Sequence, residues 1–334
     1  MKNLSTKQKT NSLLMALLTL LVIFFLINMI VSPAKFIEQS LDGISAWAFN
    51  VLPSVLPFMF FTRLLSSIGQ LEKITHPFGK FSRKLFGTPS ISIYTFLMAI
   101  LSGYPVGSKM VADLYSQKSI TKQDAFRISS FCSTSGPMFI VGAVGTMMFK
   151  STTVGYVLFI SHIIGAFLNG LIYRNLTIAN NKIKIFNFHK NKEIENNEKN
   201  KQISESPEKK SIDISEIVLS STLSILSVGC IITIFFIIIE CFSPILNLLP
   251  ESLAGFWEGI IEITKGCLSL SNLPNLNLAV LLCSFVISFG GISTLLQSIT
   301  MLNKVEMPLK IFTLQKLTHA ILSTLLTAIL IIFI

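Results

Sequence analysis

Three short stretches hold the residues with the most chemical potential in an otherwise greasy chain. LSGYPVGSKM (101–110) and STSGPMFIVG (133–142) each set glycine, proline and hydroxyl side chains into apolar sequence, and ISFGGISTLL from Ile287 has the same style. A helix interrupted inside a bilayer leaves N–H groups at one new end and C=O groups at the other, and both need partners. Two such breaks facing one cavity aim positive helix ends and free carbonyls at a polar solute or ion. In that reading Ser102, Ser108, Ser133, Thr134, Ser135, Ser288 and Ser293 supply hydroxyls. Gly103, Gly107, Gly136, Gly290 and Gly291 let backbone approach closely, Pro105 and Pro137 fix kinks, and Tyr104 stacks on a ring or anchors a hairpin tip. The competing reading is helix packing, because small residues bring helices together without any ligand.

Ionisable residues at membrane depth are costly, so each is a functional candidate. Lys109 and Asp113 stand four residues apart, and Glu258 and Glu262 share a helical face of FWEGIIEITKG. These four are candidates for ion or proton coupling; a local interfacial ion pair and solvated outer acids are the alternatives. His162 and His319 are lone histidines in apolar runs, where an interhelical hydrogen bond is the expected role. The sequence contains no G-x-S-x-G elbow, no H-E-x-x-H, no P-loop and no carboxylate–histidine cluster, so neither enzymatic activity nor a cofactor is expected. Five scattered cysteines without a C-x-x-C pair indicate neither a disulfide framework nor a metal site.

The elements that must carry these residues are membrane helices. The chain of 334 residues is 51% hydrophobic and 13% charged, a balance foreign to soluble domains. Leu13–Val31 is long enough to cross a hydrocarbon core and, lacking a small-x-small cleavage site, reads as an uncleaved first helix. The net charge of +10 gathers in loops between apolar runs, which makes it a topology signal and not a nucleic-acid footprint. Positive loops stay in the cytoplasm. Lys2, Lys7 and Lys9 place the N-terminus inside, and Lys73, Lys80, Arg83 and Lys84 against Glu72 place residues 70–88 inside. A re-entrant hairpin with its tip at SGYPVGS keeps the basic segment from Lys109 to Arg127 inside as well. Residues 125–149 then cross outward and 154–173 return. Residues 176–213 read as a disordered basic cytoplasmic linker, since 174–212 hold nine basic side chains against five glutamates in low-complexity sequence.

A second cycle follows: a span at about 217–242, an acidic loop with Glu251, Glu258 and Glu262, and an apolar segment at 276–302 broken at Gly290. The first span of each cycle runs in opposite directions, which predicts inverted repeats with broken helices around a central site. For 276–302 two placements are open. A hairpin open to the outside matches the first half, but leaves Lys304, Lys310 and Lys316 outside against the charge rule. A plain crossing puts Lys304 inside and Ile334 outside. The parallel with the first half favours the hairpin.

The blocks LPSVLPFMFF with LLSSIG, LMAILSGYPVGSKMVADL and ITKQDAFRISSFCSTSGPMFIVGAVGTMMF resemble the nucleoside-recognition Gate-domain family, and within it the sporulation integral membrane proteins. The resemblance covers about residues 45–150 and, more weakly, 215–333. Two amide side chains are expected before SGP in that family, where this chain has Ser133 and Thr134. The resemblance implies an all-α polytopic protein of the cell membrane in endospore-forming bacteria, linked to spore cortex formation and related to the gating region of concentrative nucleoside transporters. It divides the chain into an N-terminal transmembrane helix (1–40), a first Gate-like repeat (41–175), the linker (176–213) and a second Gate-like repeat (214–334). The implied partners are the lipid bilayer and a small polar solute, nucleoside-like or cell-wall related. The alternative is a non-transporting membrane scaffold that organises partners during sporulation.

Overall fold

The computed structural model describes residues 2–68, 76–179, 182–184 and 213–333, and the region is built almost entirely of helices. Helix α1 (Lys2–Val31) precedes α2 (Pro33–Ser45) and α3 (Leu52–Ser67), which continue one another through a wide π-turn at Ala46–Val51. The stretch between the first two apolar runs is itself helical, because Pro33 starts a new helix in its first turn, where its missing N–H costs nothing. Arg63 Nη2 donates to Ser224 Oγ at 2.6 Å and Trp47 Nε1 to the carbonyl of Ile225 at 3.1 Å, fastening this long helix to α10 (Ile214–Cys241). Gly229 makes room for the indole: a Cβ there would lie 2.7 Å from the Trp47 ring.

Short α4 (Gly79–Phe86) ends on Gly87 in the left-handed region, and α5 (Ile91–Ser102) leaves it at 87°. Helix α6 (Val106–Ser116) folds back on α5, with Gly107 so close that a Cβ would sit 2.8 Å from that of Ala99. Helix α7 (Lys122–Cys132) starts in a Thr121–Asp124 capping box and stops at Ser133, and α8 (Met138–Met148) continues beyond the break with π-helical winding throughout. Helix α9 (Thr152–Tyr173), capped by Ser151, leads to a small hairpin of β1 (Thr177–Ala179) and β2 (Lys182–Lys184). That hairpin opens the expected linker; residues 185–212 lie outside the described residues.

The second half continues through α11 (Ser243–Leu246) to α12 (Glu251–Ile261) and α13 (Ile263–Ser271), two short helices packed back to back. Helices α14 (Leu276–Phe289) and α15 (Gly291–Leu302) form one broken helix, and α16 (Leu309–Leu330) closes the bundle against α9. Two expectations are corrected here. The segment 276–302 is a through-going span kinked at Gly290, which counts with residues to Val305 as a single 30-residue apolar helix. The hairpin of this half is instead 251–271, where an acidic loop was expected. Among the described residues four helices are long and apolar enough to cross a membrane, or five if α4 and α5 count as one bent span.

Side-chain contacts group the connections at two ends. At one end Lys122 Nζ meets Glu306 at 2.5 Å, Lys304 Nζ meets Asp113 at 3.3 Å, and Arg127 donates to the carbonyls of Gly87 and Leu176 at 2.8 and 2.9 Å. At this basic end the Lys122 ammonium holds the exposed Glu306 carboxyl below the usual range. At the opposite end Lys35 meets Glu240 at 2.5 Å, and Phe149, Leu273 and Ile331 join one apolar cluster. The legs of the α5–α6 hairpin thus open on the basic end, and those of α12–α13 on the other.

Candidate functional site

Both breaks of the first half meet at their backbones. Gly103, at φ +71° and ψ −170°, is the tip of the α5–α6 hairpin, and a Cβ there would lie 2.7 Å from the amide nitrogen of Gly136 in the α7–α8 break. Such a backbone is essentially reserved for glycine. The second half repeats the contact: a Cβ on Gly291, at φ +71°, would lie 3.1 Å from the Gly259 carbonyl and 3.2 Å from the Ile263 nitrogen at the tip of α12–α13. The halves then touch through Tyr104. Its ring lies where a Cβ on Gly290 would come within 3.3 Å of it, and its hydroxyl reaches the Ile287 carbonyl at 3.4 Å.

Lys316 sits at this junction. Although a loop position outside was expected for it, it lies inside α16 and is 3% exposed. Its Nζ donates to Tyr104 Oη at 2.5 Å and to the Ser133 carbonyl at 2.8 Å, and lies 4.5 Å from the Tyr104 ring centre. The freed carbonyl of the first break therefore takes its donor from the last helix of the second half.

The two histidines join the same centre. The Ser135 amide donates to His162 Nε2 at 2.9 Å, so the proton of the neutral ring sits on Nδ1, which donates to Ser288 Oγ at 2.9 Å. His319 donates from Nε2 to the His162 carbonyl at 2.9 Å, and the two rings lie 4.6 Å apart. These are the interhelical hydrogen bonds expected of lone histidines, but they connect the two breaks. The hydroxyls of Ser133 and Thr134 in the α7–α8 break, and those of Ser108 on α6 and Ser293 on α15, are buried without a hydrogen-bond partner. Towards the basic end Gln315 and Asn169 lock α16, α9 and α7 together, with Gln315 Nε2 on the Phe126 carbonyl at 2.8 Å and Asn169 Nδ2 on the Ser130 carbonyl at 2.7 Å.

Of the sequence candidates, Gly103, Tyr104, Ser133, Ser135, Gly136, Ser288 and Gly290 are brought together by these contacts. Gly107 serves the α5–α6 and α7 packing, Gly291 the second hairpin tip, and Ser108 and Ser293 lie on α6 and α15, which pack on each other. Ser102, Pro105 and Thr134 flank the first pair of breaks. The four coupling candidates lie elsewhere. Asp113 pairs with Lys304 at the basic end, not with Lys109 one turn away. Glu258 and Glu262 do not share a helix face, because α12 ends at Ile261. Glu262, 2% exposed, caps α13 by accepting from the Lys265 amide at 2.8 Å, and half-buried Glu258 accepts from Ser269. Two cavities of about 350 and 260 Å³ flank Lys265 between α2, α10 and the second hairpin, away from the breaks. Among the described residues no cluster of metal-ligating side chains is present.

Several apolar helices of crossing length, interrupted at points that meet around a buried lysine, define a multi-pass integral membrane protein. Over 167 residues, half of this chain, the sequence is 33% identical to the sporulation integral membrane protein YlbJ of Bacillus subtilis (strain 168). The matched stretch spans 40% of that relative's length, and the similarity supports kinship with the YlbJ type. No family model and no solved structure matches the chain.

Proposed function

We propose that this chain is a non-enzymatic, transporter-like membrane protein of YlbJ type that holds a small polar solute between two sets of helix breaks and acts during sporulation, in spore cortex formation. The observation that carries the reading is the junction of Tyr104, Ser133, Ser135, His162, Ser288 and Lys316, in which both halves contribute to one buried polar centre. Packing alone does not require interrupted helices, nor a lysine at their meeting point.

Two inverted repeats related to the Gate domain account for the element order. Each half has a long helix, a folded-back pair, a broken helix and a closing helix, and the two folded-back pairs open at opposite ends. The charge rule puts the basic end, with Arg174, Lys122 and Lys304, in the cytoplasm of the cell. The α14–α15 crossing thereby brings Lys304 and Lys310 inside, which removes the conflict that a hairpin there would create.

The test is complementation of a spore-forming bacterium that lacks its YlbJ-type protein. Ser133→Leu fills the centre with an apolar side chain, and the expected result is loss of heat-resistant spores at unchanged protein level on immunoblots. Full spore resistance with this variant refutes solute handling and favours the scaffold.

A further inference from the structure

Helix α4 (Gly79–Phe86) is unlike the apolar helices around it. Lys80, Arg83 and Lys84 make it basic, and its axis stands at 87° to that of α5. Arg127 donates to the carbonyl of Gly87 directly after α4, which fixes the helix at the basic end. Since α5 is a leg of the hairpin that opens on this end, α4 lies across the end of the bundle and not along it.

Its residues fall on three stripes, each at helical spacings of three and four. Gly79, Ser82 and Phe86 are buried. A Cβ on Gly79 would collide with that of Ser90, Ser82 Oγ meets the hydroxyls of Thr88 at 2.9 Å and Ser92 at 2.5 Å, and the Phe86 ring stacks on Phe131 at 4.4 Å. This stripe pins the helix, so the directions of its other two faces are fixed. Phe78 in the preceding turn, Phe81 and half-buried Leu85 form an apolar flank, on which the two rings are 55% and 49% exposed. Lys80, Arg83 and Lys84, all exposed, form a basic one. With 3.6 residues per turn, the two flanks lie on opposite sides of the buried stripe.

Among the described residues no carboxylate pairs with Lys80 or Lys84; Asp113 and Glu306, acids of the same end, are taken by Lys304 and Lys122. A helix facing water has no use for two exposed phenylalanines, and one inside the hydrocarbon cannot carry these charges. The headgroup layer of a bilayer suits both flanks, with rings toward the acyl chains and lysines toward phosphate. Because protein contacts already hold α4 helical and transverse, lipid binding costs no ordering of the segment.

We infer that α4 is an interfacial helix that binds the headgroups of acidic phospholipids, with Phe78 and Phe81 at the acyl boundary and Lys80 and Lys84 on the phosphates.

The experiment uses the full-length chain in detergent, with thermal unfolding followed as phosphatidylglycerol, phosphatidylcholine or sodium phosphate is added. A saturable rise of Tm with phosphatidylglycerol is expected, weaker at high salt. In Lys80→Gln/Lys84→Gln the half-saturating phosphatidylglycerol concentration should rise about tenfold or more, since each lysine near an acidic surface contributes several-fold. The control pair Lys118→Gln/Lys310→Gln removes two other exposed lysines and should leave the response unchanged. Spin labels on Phe81→Cys and Lys84→Cys, in a chain carrying Cys230→Ser and Cys241→Ser within phosphatidylglycerol-containing vesicles, test the two flanks separately. The first should be reached by oxygen dissolved in the acyl region, the second by a water-soluble nickel chelate. An equal Tm response to phosphatidylcholine or sodium phosphate, an undiminished response without Lys80 and Lys84, or an equal loss in the control pair overturns the inference. So do two labels equally open to the nickel chelate, the result expected of a flank that faces water or a soluble protein partner.

Discussion

Replacing Gly103 and Gly136 by alanine, one at a time, separates two glycines that look alike in sequence. Each stands in a Gly/Ser/Pro break, and their backbones touch in the fold, so a generic small-residue contact predicts equal damage. The geometry predicts otherwise. Gly103 has φ +71° and ψ −170°, a region that costs an L-residue about 1–3 kcal/mol. The added methyl would also stand 2.7 Å from the Gly136 nitrogen and 3.2 Å from its Cα, and both are backbone atoms that cannot swing away. Overpacking of that kind costs about 1–3 kcal/mol more.

For Gly136 the sum changes. Its φ is ordinary, and a Cβ there would find its nearest atoms at 3.5, 3.6 and 3.7 Å, normal van der Waals contact. The expected loss for Gly103→Ala is therefore about 3 kcal/mol, or roughly 6–12 °C in Tm, against about 0.5 kcal/mol or less for Gly136→Ala. Thermal unfolding in detergent, followed by tryptophan fluorescence or by exposure of the buried cysteines, reads both. Equal shifts for the two variants, or an unaffected Gly103→Ala protein, would refute the backbone-to-backbone contact between hairpin tip and break.

Two further outcomes follow from the same geometry. His162→Leu and Ser288→Ala should be coupled in a double-mutant cycle by about 0.6–1.7 kcal/mol, the range of side-chain hydrogen bonds in membrane bundles, and additive losses would show that the Nδ1–Oγ contact of 2.9 Å contributes nothing. Single cysteines at Lys118 and Lys304, in a chain whose exposed Cys230 has been replaced, should react with an impermeant maleimide from the same side of the membrane, and a cysteine at Asn272 from the other; labelling of 118 and 304 from opposite sides would restore the discarded 276–302 hairpin.

The apolar runs were legible because a lipid-facing helix has few alternatives to continuous hydrophobicity. The breaks were legible too, since glycine and proline at membrane depth mark interrupted backbone. What escaped was the second hairpin. Its tip is Glu262, with neither glycine nor proline beside it, so FWEGIIEITKG read as an acidic loop. Its signal was the glycine spacing: Gly255 takes the Leu270 side chain where a Cβ would be 3.2 Å away, and Gly259 takes Val286 at 2.6 Å. Lys316 escaped for a different reason, being the third of a lysine series with Lys304 and Lys310 that looks like a positive loop. The corrective pattern was present in Phe312, Gln315, Lys316, His319, Ser323 and Thr327, all buried at spacings of three and four along one apolar helix. A polar stripe of that period inside a hydrophobic run marks a face turned toward protein, not lipid.

Stability alone gives no reason to keep a lysine there. Replacing a buried charge by a packed apolar side chain is often neutral or stabilising, because desolvation outweighs the hydrogen bonds regained. The contacts Lys316 makes suggest what it does instead. Its two acceptors, Tyr104 and Ser133, belong to the first half, while α16 belongs to the second, and His162 joins the halves in the same way through Ser135 and Ser288. Movement of one half against the other must break these few polar contacts, while the apolar contacts around them can slide at little cost. A polar solute that replaces Tyr104 or the Ser133 carbonyl on Lys316 Nζ would release that clasp as it binds, so that occupancy of the site and freedom of the halves become one equilibrium. The lysine is then a latch, and a variant that loses it should lose the coupling between binding and movement even where the bundle itself becomes more stable.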